Sequence, residues 1–222
     1  MSIAMSAKLT DTRVLGPVWH SRGYLPHLES SETIQHITFR LADSLPLPVV
    51  ERLEIELKEL PGEKRDIERR KRIEAWLDAG HGSCVLREPP IARAAQNSLL
   101  FFDSQRYRLL AWVIMPNHVH VLLTPLDPWA VAKIVAAWKK FTARTIRESW
   151  ERQSPDWPQF RGAKGAVWQR EYWDRYIRTE GHLKRTIEYI HENPVKARLV
   201  ARPEAWPWSS AFPGNAKPRT EA

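Results

Sequence analysis

The amino-acid sequence predicts an α+β fold, and three patterned segments support that prediction. Residues 33–41 alternate polar and apolar side chains, as a half-buried strand does. Residues 107–114 and 118–124 are strongly apolar runs joined by a short Met-Pro-Asn turn, which predicts a tight hairpin. Residues 129–150 repeat apolar side chains at helical spacing, which predicts a long amphipathic helix.

The positions of proline and glycine help to predict the bounds of the remaining elements. Pro194 is expected to end the last helix, because the residue before a proline is disfavoured in helical geometry. An extended stretch is predicted at 168–178, and a loop at 153–165. Further helices are predicted at 49–60, 63–77, 89–103 and 180–192. The predicted organisation is an irregular lead-in at 1–30, one folded domain at 31–202 and an irregular Pro-rich tail at 203–222.

Length and composition limit the class of protein. The chain has 222 residues, 43% of them apolar and 27% charged, which is typical of a globular protein of about one domain. No apolar run approaches the roughly 18 residues of a membrane span. The first residues lack the apolar stretch of a secretory signal, and the single cysteine, Cys84, cannot form an internal disulfide. These features predict a cytoplasmic protein without a membrane partner.

The positive charge is concentrated in one third of the chain. Residues 133–202 contain 16 Lys and Arg against 8 Asp and Glu, so they account for the whole formal net charge of +8. Clustered cations favour a polyanion such as nucleic acid, although a solvated basic face is an equal alternative. Within this segment, residues 168–178 alternate aromatic rings with arginines, a mixture that binds single-stranded nucleic acid. Those rings are also compatible with a role in the core.

The His118-Val119-His120 sequence is the first candidate site. Side chains two apart on a strand point the same way, so both imidazoles share one face. Paired imidazoles on a rigid strand can bind a metal ion, whereas ordinary hydrogen-bonded histidines are the structural alternative. Metallo-hydrolases with an H-x-H-x-D-H pattern are disfavoured, because Leu122 and Leu123 occupy the positions of their Asp and His.

Tyr189 and Asn193 form the second candidate site. Four residues apart on a helix, the phenol and the carboxamide share one face. If that face packs over the two histidines, Asn193 can complete a three-ligand metal site with Tyr189 beside it. The phenol can then act as a nucleophile toward a phosphate. Taken alone, Tyr189 is better interpreted as a core aromatic residue.

Four sequence blocks resemble those of one transposase family. They are Gly80-x-Gly-x-Cys-Val-Leu-Arg, the run from Phe101 to Leu123, Val167-Trp-Gln-Arg-Glu-Tyr-Trp-Asp-Arg, and Tyr189-Ile-His-Glu-Asn-Pro-Val-Lys-Ala. Together they resemble the REP-associated tyrosine transposases, which are HUH-type enzymes acting on single-stranded DNA. The resemblance covers roughly residues 20–212, and several ordered blocks carry it.

The resemblance implies a ferredoxin-like HUH fold, an antiparallel sheet with helices packed on it. It implies that His118, His120 and Asn193 bind Mg²⁺ or Mn²⁺ and that Tyr189 is the nucleophile. The implied reaction is cleavage and strand transfer of single-stranded DNA through a 5′-phosphotyrosine. The implied DNA partner is a hairpin from REP palindromes. Because two nitrogens and one oxygen would be the ligands, Zn²⁺ is not excluded by the residue types.

The basic segment supplies candidate DNA contacts, and solvated side chains are the alternative for those on the long helix. The candidates are Lys133, Lys139, Lys140, Arg144, Arg170, Arg175 and Arg178. His36, Cys84 and His191 are predicted to lie outside the site, the first two as structural residues. A hairpin-binding protein that no longer cuts DNA, and a plasmid replication initiator or relaxase, are competing hypotheses. The sequence does not decide between a monomer and a homodimer.

Overall fold

A four-stranded antiparallel sheet forms the centre of the computed structural model, which describes residues 18–21, 26–29, 33–152 and 165–215. The strands are β1 (Val18–Ser21), β2 (Pro26–Glu29), β3 (Gln35–Arg40), β4 (Tyr107–Ile114), β5 (His118–Pro125) and β6 (Trp173–Tyr176). The spatial order of the strands in this sheet is β4, β5, β3, β6, so that β5 and β3 are central. The predicted first strand and hairpin are therefore present.

Five helices surround the sheet. They are α1 (Leu47–Leu57), α2 (Gly62–Asp78), α3 (Pro89–Leu100), α4 (Val131–Arg152) and α5 (Glu180–Lys196). The α+β architecture expected from the sequence is confirmed. Among the described helices, none combines the length and apolar character required to cross a membrane.

The two faces of the sheet bury different helices. Phe39, Val119 and Val121 point to a large apolar core shared with α3 and α4. Val113, Leu122 and their neighbours form a smaller core with α5 through Ile190. The strand alternation places His118 and His120 on the α5 side. The Cα register pairs Thr38 with His120 and Arg40 with His118, so β3 presents its own polar face there.

The prediction of an irregular lead-in at 1–30 is wrong for two short segments. Val18–Ser21 and Pro26–Glu29 pair as an antiparallel ribbon, with Trp19 opposite Leu28. The second strand of this ribbon lies alongside β6. Its pairing depends on backbone hydrogen bonds and a neighbouring strand, so the local side-chain pattern does not reveal it. Predictions for residues 1–17, 153–164 and 216–222 concern chain outside the described residues.

Pro194 does not end the last helix, contrary to the prediction. α5 continues to Lys196, and the Ala197 N–H donates to the backbone oxygen of Asn193 at 2.9 Å. Proline costs one backbone hydrogen bond in a helix. Because Pro194 lies in the last turn of α5, the lost hydrogen bond does not interrupt the rest of the helix. The side chains of Asn193 and Pro194 are both buried in this turn.

The Pro-rich tail is irregular through residue 215 but is attached to the sheet. The indole N–H of Trp206 donates to the backbone oxygen of Ile114 at 2.9 Å. The backbone N–H of Ser210 donates to the oxygen of Trp112 at 3.0 Å. His191 reaches the same tail, with Nε2 2.8 Å from the Ser210 hydroxyl oxygen. The tail therefore covers the free edge of β4, and His191 has a structural role, away from the candidate site as predicted.

Candidate active site

His118 and His120 lie side by side on β5. Their Nε2 atoms are 3.1 Å apart, and both side chains are 1% exposed. The two rings meet nearly at right angles. This spacing suits two neighbouring ligands of one ion, since metal–nitrogen bonds are about 2.1 Å long.

Asn117 sets the tautomer of His118. The Asn117 Nδ2 group donates a hydrogen bond to the backbone oxygen of His81 at 3.0 Å. Because a carbonyl oxygen only accepts, this bond leaves Asn117 Oδ1 facing His118 Nδ1, at 2.7 Å. The Nδ1 atom of His118 therefore carries the proton, and its Nε2 atom keeps a free lone pair.

The loop that presents the His81 oxygen requires a glycine at position 82. Gly82 has a φ of +88°, and a Cβ there would lie 2.6 Å from the backbone oxygen of Asp43. The carboxylate of Asp43 also accepts a hydrogen bond from the Ser83 N–H at 2.7 Å. The loop thus has a structural role, because its His81 oxygen binds Asn117, which in turn contacts His118.

His120 has two polar partners on β3. Its Nδ1 atom lies 2.8 Å from the Thr38 hydroxyl oxygen and 3.2 Å from His36 Nε2. When His120 carries its proton on Nδ1, Thr38 accepts it, and both Nε2 atoms offer lone pairs across the 3.1 Å contact. With the proton on Nε2 instead, His120 donates it to His118. A cation and a proton therefore compete for the space between the two Nε2 atoms.

Burial keeps these histidines neutral. Desolvation is the main cause that lowers the pKa of His118 to about 3, and Arg40 adds to it. Desolvation also lowers the pKa of His36 and of His120 well below the ordinary value of 6.5. Neutral imidazole is the form that binds metals, so the surroundings favour the ligating state near neutral pH.

Asn193 supplies an unpaired oxygen in the same region. Its side chain is 1% exposed, and its Nδ2 group donates to the Tyr189 backbone oxygen at 2.8 Å. Its Oδ1 atom is buried without a hydrogen-bond partner. A buried orphan acceptor is costly unless a ligand uses it. Among the described residues, no three His, Cys, Asp or Glu side chains could hold a metal, so Asn193 would have to complete a three-ligand site.

Tyr189 lies next to the paired histidines of its own chain. Its ring centroid is 5.4 Å from that of His120 and 5.8 Å from that of His36, both in edge-to-face geometry. α5 thus brings the predicted nucleophile to β5 although about 70 positions separate them in sequence. The candidate site is assembled within a single chain.

Two carboxylates from α2 lie near the Tyr189 hydroxyl. Burial is the main cause that raises the pKa of Tyr189, and the charges of Glu74 and Asp78 raise it further. The Asn193 side chain lowers the pKa of Tyr189 and the Glu74 side chain raises it, and the Glu74 carboxylate lies 3.9 Å from the Arg70 guanidinium. Burial and the carboxylates of α2 therefore favour the protonated phenol.

The candidate DNA contacts on α4 lie on the other side of the sheet from this site. α4 packs into the core that faces away from α5. Lys133, Lys140 and Arg144 are exposed there, and Arg144 pairs with Glu148 at 2.6 Å. The basic face of α4 is thus separated from Tyr189 by the sheet.

Lys139, one of the predicted DNA contacts, binds backbone oxygens of its own chain. Its ammonium donates to the backbone oxygens of Gln169, Arg170 and Glu171 at 3.1, 3.2 and 3.3 Å. An ammonium has three N–H donors, so these carbonyls use all of them. Desolvation is the main cause that lowers the pKa of Lys139 to about 8.

We expect Lys139→Met to lower the free energy of unfolding by about 3 kcal/mol, because three carbonyls lose a charged donor. Urea unfolding measures the change. Lys140→Met is the matched control, since the adjacent lysine is exposed, and it should stay within about 0.5 kcal/mol of the parent. Equal effects of the two substitutions would contradict the structural role.

The remaining candidate arginines differ in their surroundings. Arg170, Arg175 and Arg178 are all exposed. Arg175 pairs in register with His36 across β3 and β6, which places it at the candidate site. Arg178 lies over the ring of Tyr176 at 4.6 Å and donates to its hydroxyl. Arg175 therefore lies on the strand next to His36, whereas α4 packs on the other face of the sheet.

Part of the aromatic stretch belongs to the core. Trp168 and Tyr172 are buried, and the Trp168 indole donates to the Thr142 hydroxyl at 2.9 Å. Trp173 is half-buried beside the site, with His36 at its edge and the Arg70 guanidinium 5.4 Å from its ring centroid. Only the later part of the stretch remains available for a ligand.

Sequence reasoning missed several residues of the site. His36 and Thr38 were predictable in principle, because they share the polar face of β3 that the alternation identifies. Asn117 precedes the first histidine directly, a position from which a side chain can support it. Glu74 and Asp78 gave no signal, because nothing in α2 indicates which helix it faces.

Comparison with known proteins confirms the resemblance. Residues 94–193 match the model of the family described as transposase IS200 like. That range includes His118, His120, Tyr189 and Asn193. The chain is 29% identical over 105 residues to a protein of Haemophilus influenzae described as a REP-associated tyrosine transposase. It is 26% identical over 104 residues to the REP-associated tyrosine transposase of Escherichia coli K12.

These alignments cover 47% of the chain in both cases, and 58% and 54% of the two relatives. The matched part thus spans a little more than half the length of the curated relatives. A solved REP-associated tyrosine transposase bound to a REP hairpin aligns with 86% of this chain and 81% of its own. The TM-score is 0.50 at 17% identity, which indicates a shared fold.

Proposed function

We propose that this chain is a metal-dependent endonuclease and strand-transferase for hairpin-bearing single-stranded DNA. The proposal is supported by the match of residues 94–193 to the model of the IS200-like transposase family. The observation that carries the proposal is the contact between Tyr189 and His120, with the Nε2 atoms of His118 and His120 3.1 Å apart. A phenol that could attack a phosphate and two imidazole nitrogens that could bind a metal ion lie together in one chain.

His118, His120 and Asn193 would hold Mg²⁺ or Mn²⁺. The fit rests on the converging Nε2 atoms and on the buried Oδ1 of Asn193 that has no hydrogen-bond partner. When bound, such an ion would act as a Lewis acid on a phosphate oxygen. Thr38 and Asn117 would keep the two imidazoles in the ligating tautomers through their Nδ1 contacts.

Tyr189 would carry out the nucleophilic step. Its oxygen forms a bond to phosphorus while the bond from phosphorus to the 3′ oxygen breaks, which leaves a 5′-phosphotyrosine and a 3′-hydroxyl. The carboxylates of Glu74 and Asp78, which raise the pKa of the phenol, would keep it protonated before the attack. A 3′-hydroxyl at a new DNA end would reverse the step and complete strand transfer.

The DNA partner is proposed from the relatives and from charge. The solved neighbour is bound to a REP hairpin, and Arg175 and Arg178 are exposed near the site in this chain. Cations at the rim of the site can neutralise the backbone of a single strand that leads to Tyr189. A cytoplasmic location agrees with this substrate.

A covalent-adduct assay tests the proposed function. The protein is incubated with Mn²⁺ and a pool of hairpin oligonucleotides that carry randomised single-stranded flanks. A 5′-phosphotyrosine keeps the 3′ portion of the DNA on the protein, so we expect a denaturation-resistant band with 3′-labelled DNA and none with 5′-labelled DNA. Excess chelator should abolish the band.

The assay also separates the main alternative, a hairpin-binding protein that no longer cuts DNA. That protein would bind the same pool with strong salt dependence and give no adduct with Mg²⁺, Mn²⁺ or Zn²⁺. Salt-sensitive binding without any adduct would contradict the enzymatic proposal. The buried orphan oxygen of Asn193 favours the enzyme, because DNA binding alone does not require it.

A further inference from the structure

Lys196 lies on the face of α5 that carries Tyr189 and Asn193. Steps of four and seven residues return to nearly the same side of a helix, so the three side chains form one stripe. The Lys196 Nζ atom is 4.7 Å from the centroid of the Tyr189 ring. Its side chain is exposed, so a ligand that approaches Tyr189 can reach the ammonium.

Two carboxylates of α2 interact with the charge of Lys196. Glu74 and Asp78 of α2 both interact with the Lys196 charge and also with Tyr189. On the other side, the Lys196 charge acts on His120. The ammonium therefore lies next to the phenol and close enough to His120 and to the carboxylates of α2 for the charges to interact.

This arrangement poses an electrostatic problem for the proposed reaction. A phosphodiester carries one negative charge and would approach a phenol flanked by two carboxylates. Attack by the phenolic oxygen places further negative charge on the phosphoryl oxygens. A fixed cation at that point stabilises the transition state more than the free substrate, since the charge develops during the reaction.

We propose that Lys196 is a catalytic residue that contacts the phosphodiester attacked by Tyr189 and stabilises the negative charge of the transition state. This inference rests on the proposed function. In the step, the Tyr189 oxygen bonds to phosphorus and loses its proton, while the 3′ oxygen leaves and gains one. The Lys196 ammonium keeps its three protons throughout and acts by charge and hydrogen bonding.

The test compares three variants in single-turnover adduct formation with Mn²⁺ and saturating hairpin DNA. We expect Lys196→Met to slow the reaction about 10²-fold, the usual effect of losing one such donor. Lys196→Arg, which keeps the charge, should stay within about tenfold. Lys184→Met removes an exposed lysine of the same helix and should react at nearly the parent rate. Hairpin affinity and thermal unfolding are measured for each.

The outcomes separate the possible roles of Lys196. If Lys196→Met weakens binding but reacts at the parent rate when saturated, Lys196 only binds DNA and the proposal is overturned. Adding Asp78→Asn provides a second check, because a lysine that merely neutralises Asp78 would become dispensable. Recovery of the rate in that double variant overturns the proposal, and a persistent loss supports it. If the parent protein forms no adduct, the proposed function and this inference fall together.

Discussion

Tyr189→Phe is expected to abolish the covalent adduct while leaving hairpin binding intact. The substitution removes only the oxygen that would attack phosphorus. The ring contacts with His36 and His120 remain, and loss of the hydroxyl should lower the free energy of unfolding by about 1 kcal/mol. The measurement combines the 3′-label adduct assay with a binding titration on the same hairpin pool.

Tyr107→Phe is a demanding control for this prediction. The Tyr107 hydroxyl donates to the Leu99 oxygen at 2.7 Å and accepts from the Trp138 indole at 3.1 Å. It lies in the core on the opposite face of the sheet. Its loss should therefore lower stability more than Tyr189→Phe and still permit adduct formation. An adduct that survives in Tyr189→Phe would assign the nucleophile to another residue.

The faces of the central strands were predictable from the sequence because strands have a period of two. That period alone places His118 with His120, and Thr38 with His36, on shared faces. The helical period does the same for Tyr189 and Asn193. What neither period can give is the distance between strand and helix. That distance depends on how α5 packs across β4 and β5, a tertiary property of the small core around Ile190.

Charge was the least reliable guide to position. The count of Lys and Arg favoured DNA contacts on α4. This helix, however, packs on the sheet face away from Tyr189. Lys139 and the backbone oxygens that it contacts are 30 or more residues apart in the sequence. A local sequence pattern cannot predict such a contact. Arg70 and Glu74 reach the site from a helix whose composition suggests only a solvated surface. Formal charge therefore does not locate the basic side chains relative to Tyr189.

The second large effect that we expect is acid destabilisation of the metal-free protein. The folded state holds His118 neutral, with a pKa of about 3, while an unfolded histidine has a pKa near 6.5. Between these values the unfolded chain binds a proton that the native chain does not, so the free energy of unfolding falls as the pH falls. His118 alone is expected to lower the free energy of unfolding by about 1.4 kcal/mol for each pH unit in this range, and by about 5 kcal/mol over the whole range. The lowered pKa values of His36 and His120 act in the same direction.

Urea unfolding in the presence of chelator, from pH 7 to pH 4, measures this dependence. Carboxylates contribute to the same slope, so the informative quantity is the difference between variants. His118→Gln should flatten the slope by about one bound proton, because the buried titrating group is gone. His81→Gln should leave the slope unchanged, since the His81 side chain is exposed and only its backbone oxygen supports Asn117. A slope that His118→Gln does not alter would mean that this imidazole titrates normally. The buried, neutral pair on β5 would then not be the state that the native protein holds.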